Sequence, residues 1–358
     1  MHLHIIITYL LLAQAYSANS QDGKGNDEKY KKKRDQIKGL LVDGLEFEGL
    51  SEEDAEKQVE ERLQKVQELK VLLQAEMGEP EIPPGDDGLF EGDIILTTKQ
   101  AQAMIDQIKG RAKRSASLFL ETNPDAVWTM PIRYWVNTTF LNQEQQKNFV
   151  EALDIMVKAV PCLRFQKDDA PLKEGSQIQF QIRSSGCGGE SPIGHDGINE
   201  IGIEAEKDPE CVGDPLRGVV IHEVIHSLGG GHEQSRADRN QYIEILKDNI
   251  IKTALNNFDI MNTSTSYGAP YDYKSIMHYE NGAAAREGGL PTMKALKSED
   301  PKMGGNTMTA NDILQLKRMY CSPCKDKTFN CGTQAIAGGC NQEQTRTECP
   351  RSCGQCDQ

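Results

Sequence analysis

The chain has no excess of basic charge, few aromatic side chains, no cysteine before Cys162 and no internal apolar run long enough to span a bilayer. Its 358 residues hold 40 Lys and Arg against 54 Asp and Glu, a formal charge of −14. That acidic balance excludes a protein built to grip nucleic-acid phosphates, which need a basic surface. A membrane-spanning helix needs about 20 consecutive apolar residues, so no transmembrane anchor is expected. Aromatics make up only 6% of the chain, and its core must therefore be mainly aliphatic. Without cysteines, the N-terminal part has to be held by packing and charge rather than by disulfides.

What is present is concentrated in one stretch, His222-Glu223-Val224-Ile225-His226-Ser227-Leu228-Gly229-Gly230-Gly231-His232. On a helix, His222 and His226 project from one face about a turn apart. Two imidazoles so placed can bind one metal ion, and the adjoining Glu223 can reach a water beside it. Gly229 lets the backbone leave the helix, and His232 can then approach the same metal from another side. Three neutral imidazoles leave one coordination position open, the pattern of catalytic rather than structural zinc. The short His-Glu-x-x-His pattern also arises by chance; the glycine and third histidine at these spacings set this one apart. Asp214 is a candidate N-cap, Pro215 suits the first helical position, and Val219, Val220, Val224, Ile225 and Leu228 supply apolar surface.

The N-terminus reads as an export signal over residues 1–15. An apolar core from Ile5 to Leu12, broken only by Thr8, precedes the small-residue pattern Ala13-Gln14-Ala15. The polar run Ser17–Lys33 gives that apolar stretch nothing to pack against inside a fold. All ten cysteines lie far beyond it, namely Cys162, Cys187, Cys211, Cys321, Cys324, Cys331, Cys340, Cys349, Cys353 and Cys356. An even number in an exported chain implies disulfides rather than thiolate metal ligands.

From about Ser20 to Arg114 the chain is charged. Ser51–Gln74 has helical periodicity, with Ser51 and Asp54 resembling a capping box and Val59, Leu63, Val66 and Leu69 forming a modest stripe, as on a solvated helix. Pro80, Pro83 and Pro84 end that pattern. Arg111-Ala112-Lys113-Arg114 suits a processing protease of the secretory pathway, cutting before Ser115. Beyond Trp128 the spacing predicts strands at Ile132–Val136, Ile178–Ile182 and Ile201–Ile203, and an amphipathic helix over Gln143–Val160. The class is α+β, with the metal helix packed on the strands. Asn137 and Asn262 open glycosylation sequons. The last segment, Cys324–Cys356, has six cysteines and little apolar content, so it is a separate small domain held by its own bridges.

With these residues in hand, the chain resembles the astacin family of zinc endopeptidases, within the metzincins. Glu233-Gln234-Ser235-Arg236-Ala237-Asp238-Arg239 is similar to that family's extension of the zinc motif. Tyr271-Asp272-Tyr273-Lys274-Ser275-Ile276-Met277-His278-Tyr279 resembles its methionine turn, and Phe90-Glu91-Gly92-Asp93-Ile94 its propeptide switch. The six C-terminal cysteines resemble a ShK-type module. The resemblance implies a metzincin-like catalytic domain of two subdomains over 115–321, a propeptide over 16–114 and a ShK-type domain over 324–356. It implies His222, His226 and His232 as ligands of one Zn2+, and Tyr279 as a further ligand that swings away to serve the oxyanion. Glu223 becomes the general base and Met277 the floor beneath the metal. Asp93 becomes the switch that blocks the zymogen until the chain is cut between Arg114 and Ser115, and Glu233 contacts the region of the new N-terminus. The implied bridges are Cys162–Cys321, Cys187–Cys211, Cys324–Cys356, Cys331–Cys349 and Cys340–Cys353; spacing alone leaves fifteen pairings for the last six cysteines.

Together these features imply a secreted zinc-dependent endopeptidase, made as a zymogen, that hydrolyses extracellular proteins or peptides and needs an activating protease. Storage in a secretory or venom vesicle is compatible with this. The alternative is a toxin or matrix-binding protein in which the ShK-type module carries the main activity by holding an extracellular partner. Two departures stand out. Gly230 and Gly231 occupy positions where the family usually has bulky residues, which is expected to loosen the turn before His232. No Lys-Tyr pair lies between Cys340 and Cys349, which disfavours channel block.

Overall fold

Four parallel pairings and one antiparallel pairing build the main sheet. In the computed structural model, β2 (Ile132–Val136) lies between β3 (Phe165–Lys167) and β4 (Gln177–Arg183). Next come β6 (Ile198–Glu204), antiparallel β5 (Gly188–Pro192), and at the edge β1 (Ile94–Ile95), giving the order β1-β5-β6-β4-β2-β3. The structure describes residues 21–76, 84–109, 126–183, 186–206, 210–261, 266–298, 302–321, 326–327, 331–336 and 338–355. The export signal, Pro80, Pro83, the basic run with Arg114 and Ser115, the Asn262 sequon, Cys324 and Cys356 lie outside them.

Alternation decides the faces of this sheet. Ile178, Phe180 and Ile182 of β4 and Ile201 and Ile203 of β6 point inward and are buried. Against them pack α4 (Gln143–Ala159), through Phe149, Ala152 and Met156, and α5 (Asp214–Ser227), through Leu216, Val220 and Val224. Asn142 and Gln145 close a reciprocal capping box at the start of α4. The start of α5 differs from expectation. Asp214 is the first helical residue, Gly213 is the cap, and the Asp214 carboxylate pairs with Arg217 at 2.5 Å instead of receiving a backbone N–H.

The intervening positions, Gln181, Arg183, Glu200 and Glu204, form the opposite, polar face, and α1 (Gln21–Phe47) reaches it. Lys33 Nζ lies 3.2 Å from Glu190 and 3.0 Å from Glu204. The polar composition of α1 conceals a narrow seam in which Ile37 and Leu40 are buried. Beside it, α2 (Glu52–Glu76) starts after Ser51, whose hydroxyl accepts from Asp54 N at 3.2 Å. This helix is not the solvated one its composition suggests: Val59, Leu63, Val66 and Leu69 are each at most 2% exposed. Val66 and Leu69 pack with α3 (Thr98–Ile108), Phe90, Ile94 and, from the rest of the molecule, Ile193 and Met261, and Leu63 lies against Gly88. Leu63→Ala is therefore expected to cost the uncut chain about 2–5 kcal/mol in chemical denaturation. A change within about 0.5 kcal/mol would restore the solvated reading.

After His232 a second apolar cluster forms around Ile243, Leu255, Phe258, Tyr271, Met293 and Met303. There β7 (Ile243–Ile245) and β8 (Met293–Ala295) pair antiparallel. Disulfides join Cys162 to Cys321 and Cys187 to Cys211, closing separations of 159 and 24 residues. Past α6 (Ala310–Leu316), two short helices, α7 (Cys331–Ile336) and α8 (Glu343–Glu348), are held by Cys331–Cys349 and Cys340–Cys353. Among the described residues no helix is long and apolar enough to cross a membrane.

Candidate metal centre and active site

The last carbonyls of α5 have partners from three directions, which fixes where the helix stops. The Trp128 indole donates to Ser227 O at 2.7 Å, the Tyr320 hydroxyl to Leu228 O at 2.8 Å, and Gly194 N to His226 O at 3.0 Å. Gly229, at φ +100°, then turns the chain in a conformation that side chains rarely adopt. The next residue is not loose. A Cβ on Gly230 would lie 2.5 Å from Ile225 Cγ2 and 3.1 Å from Ile225 O, and its own carbonyl accepts from His226 Nδ1 at 2.8 Å. Glycine here permits close packing that orients a histidine, so the expected loosening does not hold at this residue.

Each of the three imidazoles commits Nδ1 to an acceptor and turns Nε2 inward. His222 Nδ1 lies 2.7 Å from Ile276 O, His226 Nδ1 meets Gly230 O, and His232 Nδ1 lies 2.8 Å from Glu91 Oε2. With Nδ1 donating, neutral Nε2 carries a lone pair. The Nε2 atoms of His222 and His226 are only 3.1 Å apart, and Asp93 Oδ2 is 3.2 Å from His232 Nε2 and 3.6 Å from His222 Nε2. One ligand atom from each of Asp93, His222, His226 and His232 fits within a 4.8 Å span. Lone pairs and a carboxylate converging at such distances repel one another unless a cation lies among them. Nitrogen and oxygen donors in this number suit zinc, so the residues fit that metal.

The electrostatics follow from burial. Burial first, then neighbouring His232 and His222, hold His226 well below the usual imidazole range, in the neutral form a ligand requires. Burial would raise the Asp93 carboxyl, but the facing imidazoles, His232 foremost, hold it below its ordinary range. Glu223 is 2% exposed, and burial, followed by the charge of Asp93, pushes its carboxyl well up. Its side chain lies over β5, where a Cβ on Gly189 would come within 2.8 Å of Oε1.

The segment Tyr271–Tyr279 braces this group from below. Ile276 O receives His222, and Met277 O accepts Glu233 N at 2.9 Å, so main-chain atoms tie the turn to both ends of the histidine motif. Met277 itself is buried in the core with Val224 and Ile225. Asp312, which the sequence reading missed, holds the turn: its carboxylate accepts Ser275 Oγ at 2.5 Å and Ile276 N at 3.2 Å while also capping α6. The Thr309-x-x-Asp312 capping pattern was the legible signal. Glu233 is buried, bonded to Arg236 at 2.9 Å and to Asp272 N at 2.8 Å.

Phe90–Ile94 forms a tight loop closed by Phe90 N to Ile94 O at 2.8 Å and Ile94 N to Phe90 O at 2.9 Å. Gly92 turns the tip at φ +90°, a conformation side chains rarely adopt, and a Cβ there would stand a tight 3.2 Å from Tyr279 Oη. The loop brings Asp93 to the histidines, and the Tyr279 hydroxyl donates to Glu91 O. Beyond it, β1 pairs in parallel with β5, Ile94 opposite Ser191. Asn137 sits at the end of β2, with its amide 3.2 Å from Gln181 Oε1.

Against known families, residues 120–321 match the model for Astacin, a peptidase family. The chain belongs to the astacin family. Zinc metalloproteinase nas-9 of Caenorhabditis elegans is 32% identical over 306 residues, covering 77% of this chain and 54% of that protein. Zinc metalloproteinase dpy-31 of the same organism is 33% identical over 258 residues, covering 67% and 40%. The chain thus spans about half the length, or less, of these curated relatives. Among solved structures, high choriolytic enzyme 1, a hatching enzyme zinc-protease from Oryzias latipes, is 24% identical with a TM-score of 0.47, covering 59% of this chain and 98% of that one. Zinc is the metal of this astacin-family site.

Proposed function

We propose that the chain is a secreted zinc-dependent endopeptidase made as a zymogen, acting on extracellular proteins or peptides. The observation that carries this is the convergence of three imidazole Nε2 atoms and one prosegment carboxylate beside a buried glutamate. His222, His226 and His232 hold the zinc, and Glu223 takes a proton from the attacking water and passes it to the leaving amine. When bound, zinc supplies Lewis-acid polarisation of the scissile carbonyl and of that water. Tyr279 donates to the carbonyl oxygen as negative charge grows on it. Met277 forms the apolar floor, and the catalytic part has the two-subdomain layout of metzincins.

Residues 1–15 act as export signal and 16–114 as prosegment. Asp93 fills the space that water and substrate need, and β1 lies along an edge that an extended substrate backbone would otherwise pair with. Cutting between Arg114 and Ser115 by a processing protease frees both, and Glu233 then meets the region of the new N-terminus. The remaining bridge, Cys324–Cys356, completes a ShK-type module over 324–356 that holds an extracellular partner. Asn137 and Asn262 carry glycans.

Protein cleavage by the chain cut after Arg114, beside the uncut chain, tests this reading. Activity in the cut form alone, abolished by a chelator and regained with zinc, is the expected result. Equal activity in the uncut chain removes the role of Asp93. A cut form that holds zinc yet cleaves nothing in a broad peptide library overturns the endopeptidase and leaves the module as the working part. A second arm replaces Asp93 by Asn, which is expected to give the uncut chain measurable activity.

A further inference from the structure

Among the three imidazoles, His232 alone gives its outer nitrogen to a carboxylate. His222 and His226 give theirs to the carbonyls of Ile276 and Gly230, which stay with the enzyme after maturation. His232 gives its own to Glu91, two residues before Asp93 and on the segment that maturation removes. We propose that Glu91 is a positioning residue by which the prosegment retains the metal: it orients His232 and strengthens it as a ligand, so that the zymogen holds zinc more firmly than the mature enzyme. This rests on the zinc site proposed above.

Three observations carry it. The contact is 2.8 Å between two side chains that are both 0% exposed, so solvent does not screen it. Among the described residues Glu91 Oε1 has no hydrogen-bond partner, and a carboxylate buried in that state is costly unless its other oxygen serves a purpose. The backbone also bends to place it: Glu91 has φ +48°, rare for a side-chain-bearing residue, held by the Phe90–Ile94 pairing and by the Tyr279 hydroxyl on its carbonyl. A carboxylate on the outer nitrogen of a ligating histidine fixes its tautomer and raises its basicity, and losing such a partner typically costs about 10–100-fold in metal affinity. One loop thus acts on the metal twice, through Asp93 directly and through Glu91 by way of His232. Maturation removes both, leaving a site more exchangeable than the one in which zinc was loaded.

The test is zinc release from the full uncut chain into excess colorimetric chelator. Glu91→Gln, which preserves shape but not charge, is expected to release zinc about 10–100-fold faster than wild type. Glu91→Asp, which keeps the charge but shortens the reach, is expected to fall on the same side, and near-UV circular dichroism reports whether either remains folded. In an Asp93→Asn background the Glu91→Gln increment persists, because it acts through His232, and the cobalt-substituted chain shows a shifted d–d band. Cut and freed of the prosegment, wild type and Glu91→Gln become one molecule and release zinc alike. Folded Glu91 variants that hold zinc as long as wild type overturn the proposal while leaving the site intact. A chain whose zinc retention is indifferent to His226→Gln overturns the site assignment itself, and the proposal with it.

Discussion

Cut after Arg114 and freed of its prosegment, the Glu223→Gln chain is expected to keep its zinc and to cleave protein about 10²–10⁴-fold more slowly in kcat. Glu223 contributes no atom to the converging group of Asp93 and the three histidines, so metal content should not move. What the amide lacks is the ability to take a proton from water and return it to the amine. Stability should move in the opposite direction. In the uncut, metal-free chain the carboxyl is buried, has an oxygen without a partner among the described residues, and is pushed well above its ordinary range by burial and then by Asp93. A folded pKa above the unfolded one means that ionisation opposes folding, increasingly so as pH rises above about 4, the unfolded value. Glu223→Gln is thus expected to raise the melting temperature of the chelated, uncut chain at neutral pH, with the gain shrinking as pH falls. Full activity in this variant would remove Glu223 from the reaction, and loss of zinc would make it structural.

How much of this was legible depends on whether a residue's role is local. The strand Ile132–Val136 and the helix beginning at Gln143 were readable because alternation and periodicity are written within a few residues. The zinc motif was readable for the same reason, since i and i+4 on a helix fix two ligands by geometry alone. The short strand β5 was not, because Gly188-Gly189-Glu190-Ser191-Pro192 has no apolar alternation and is a strand only through its neighbours. Nor was α1 legible: a helix whose buried side is Ile37 and Leu40 gains its place from Lys33 on Glu190 and Glu204, some 157 and 171 positions away. The stripe on α2 was visible, but its burial was not, since sequence records the stripe and not what covers it. Asp214 followed local preference for a cap, yet the turn at Gly213 begins one residue earlier and leaves its carboxylate to Arg217. Glu91 and Asp312 share this non-local character. Each was within a recognisable pattern, and each acts on a residue far along the chain.

Tyr279→Phe separates the two states of the molecule. In the uncut chain the Tyr279 hydroxyl donates to Glu91 O and its ring centre lies 4.9 Å from that of His232, so the Phe90–Ile94 loop engages the group proposed to serve the oxyanion. Burial, reinforced by the charge of Asp93 and Glu91, pushes the phenol well above its ordinary range, and the hydroxyl keeps its proton as a donor. In the cut enzyme, removing that donor is expected to lower kcat about 10²–10³-fold while KM changes little, because the bond forms as charge develops and not when substrate binds. In the uncut chain the same change deletes one neutral hydrogen bond, worth about 0.5–1.5 kcal/mol, a modest loss in chemical denaturation. A fall in kcat with KM unmoved places Tyr279 in the transition state. A rise in KM alone would make it a substrate-binding wall, and a large loss of stability in both forms would make its packing against Phe258, at 5.6 Å between ring centres, its main task.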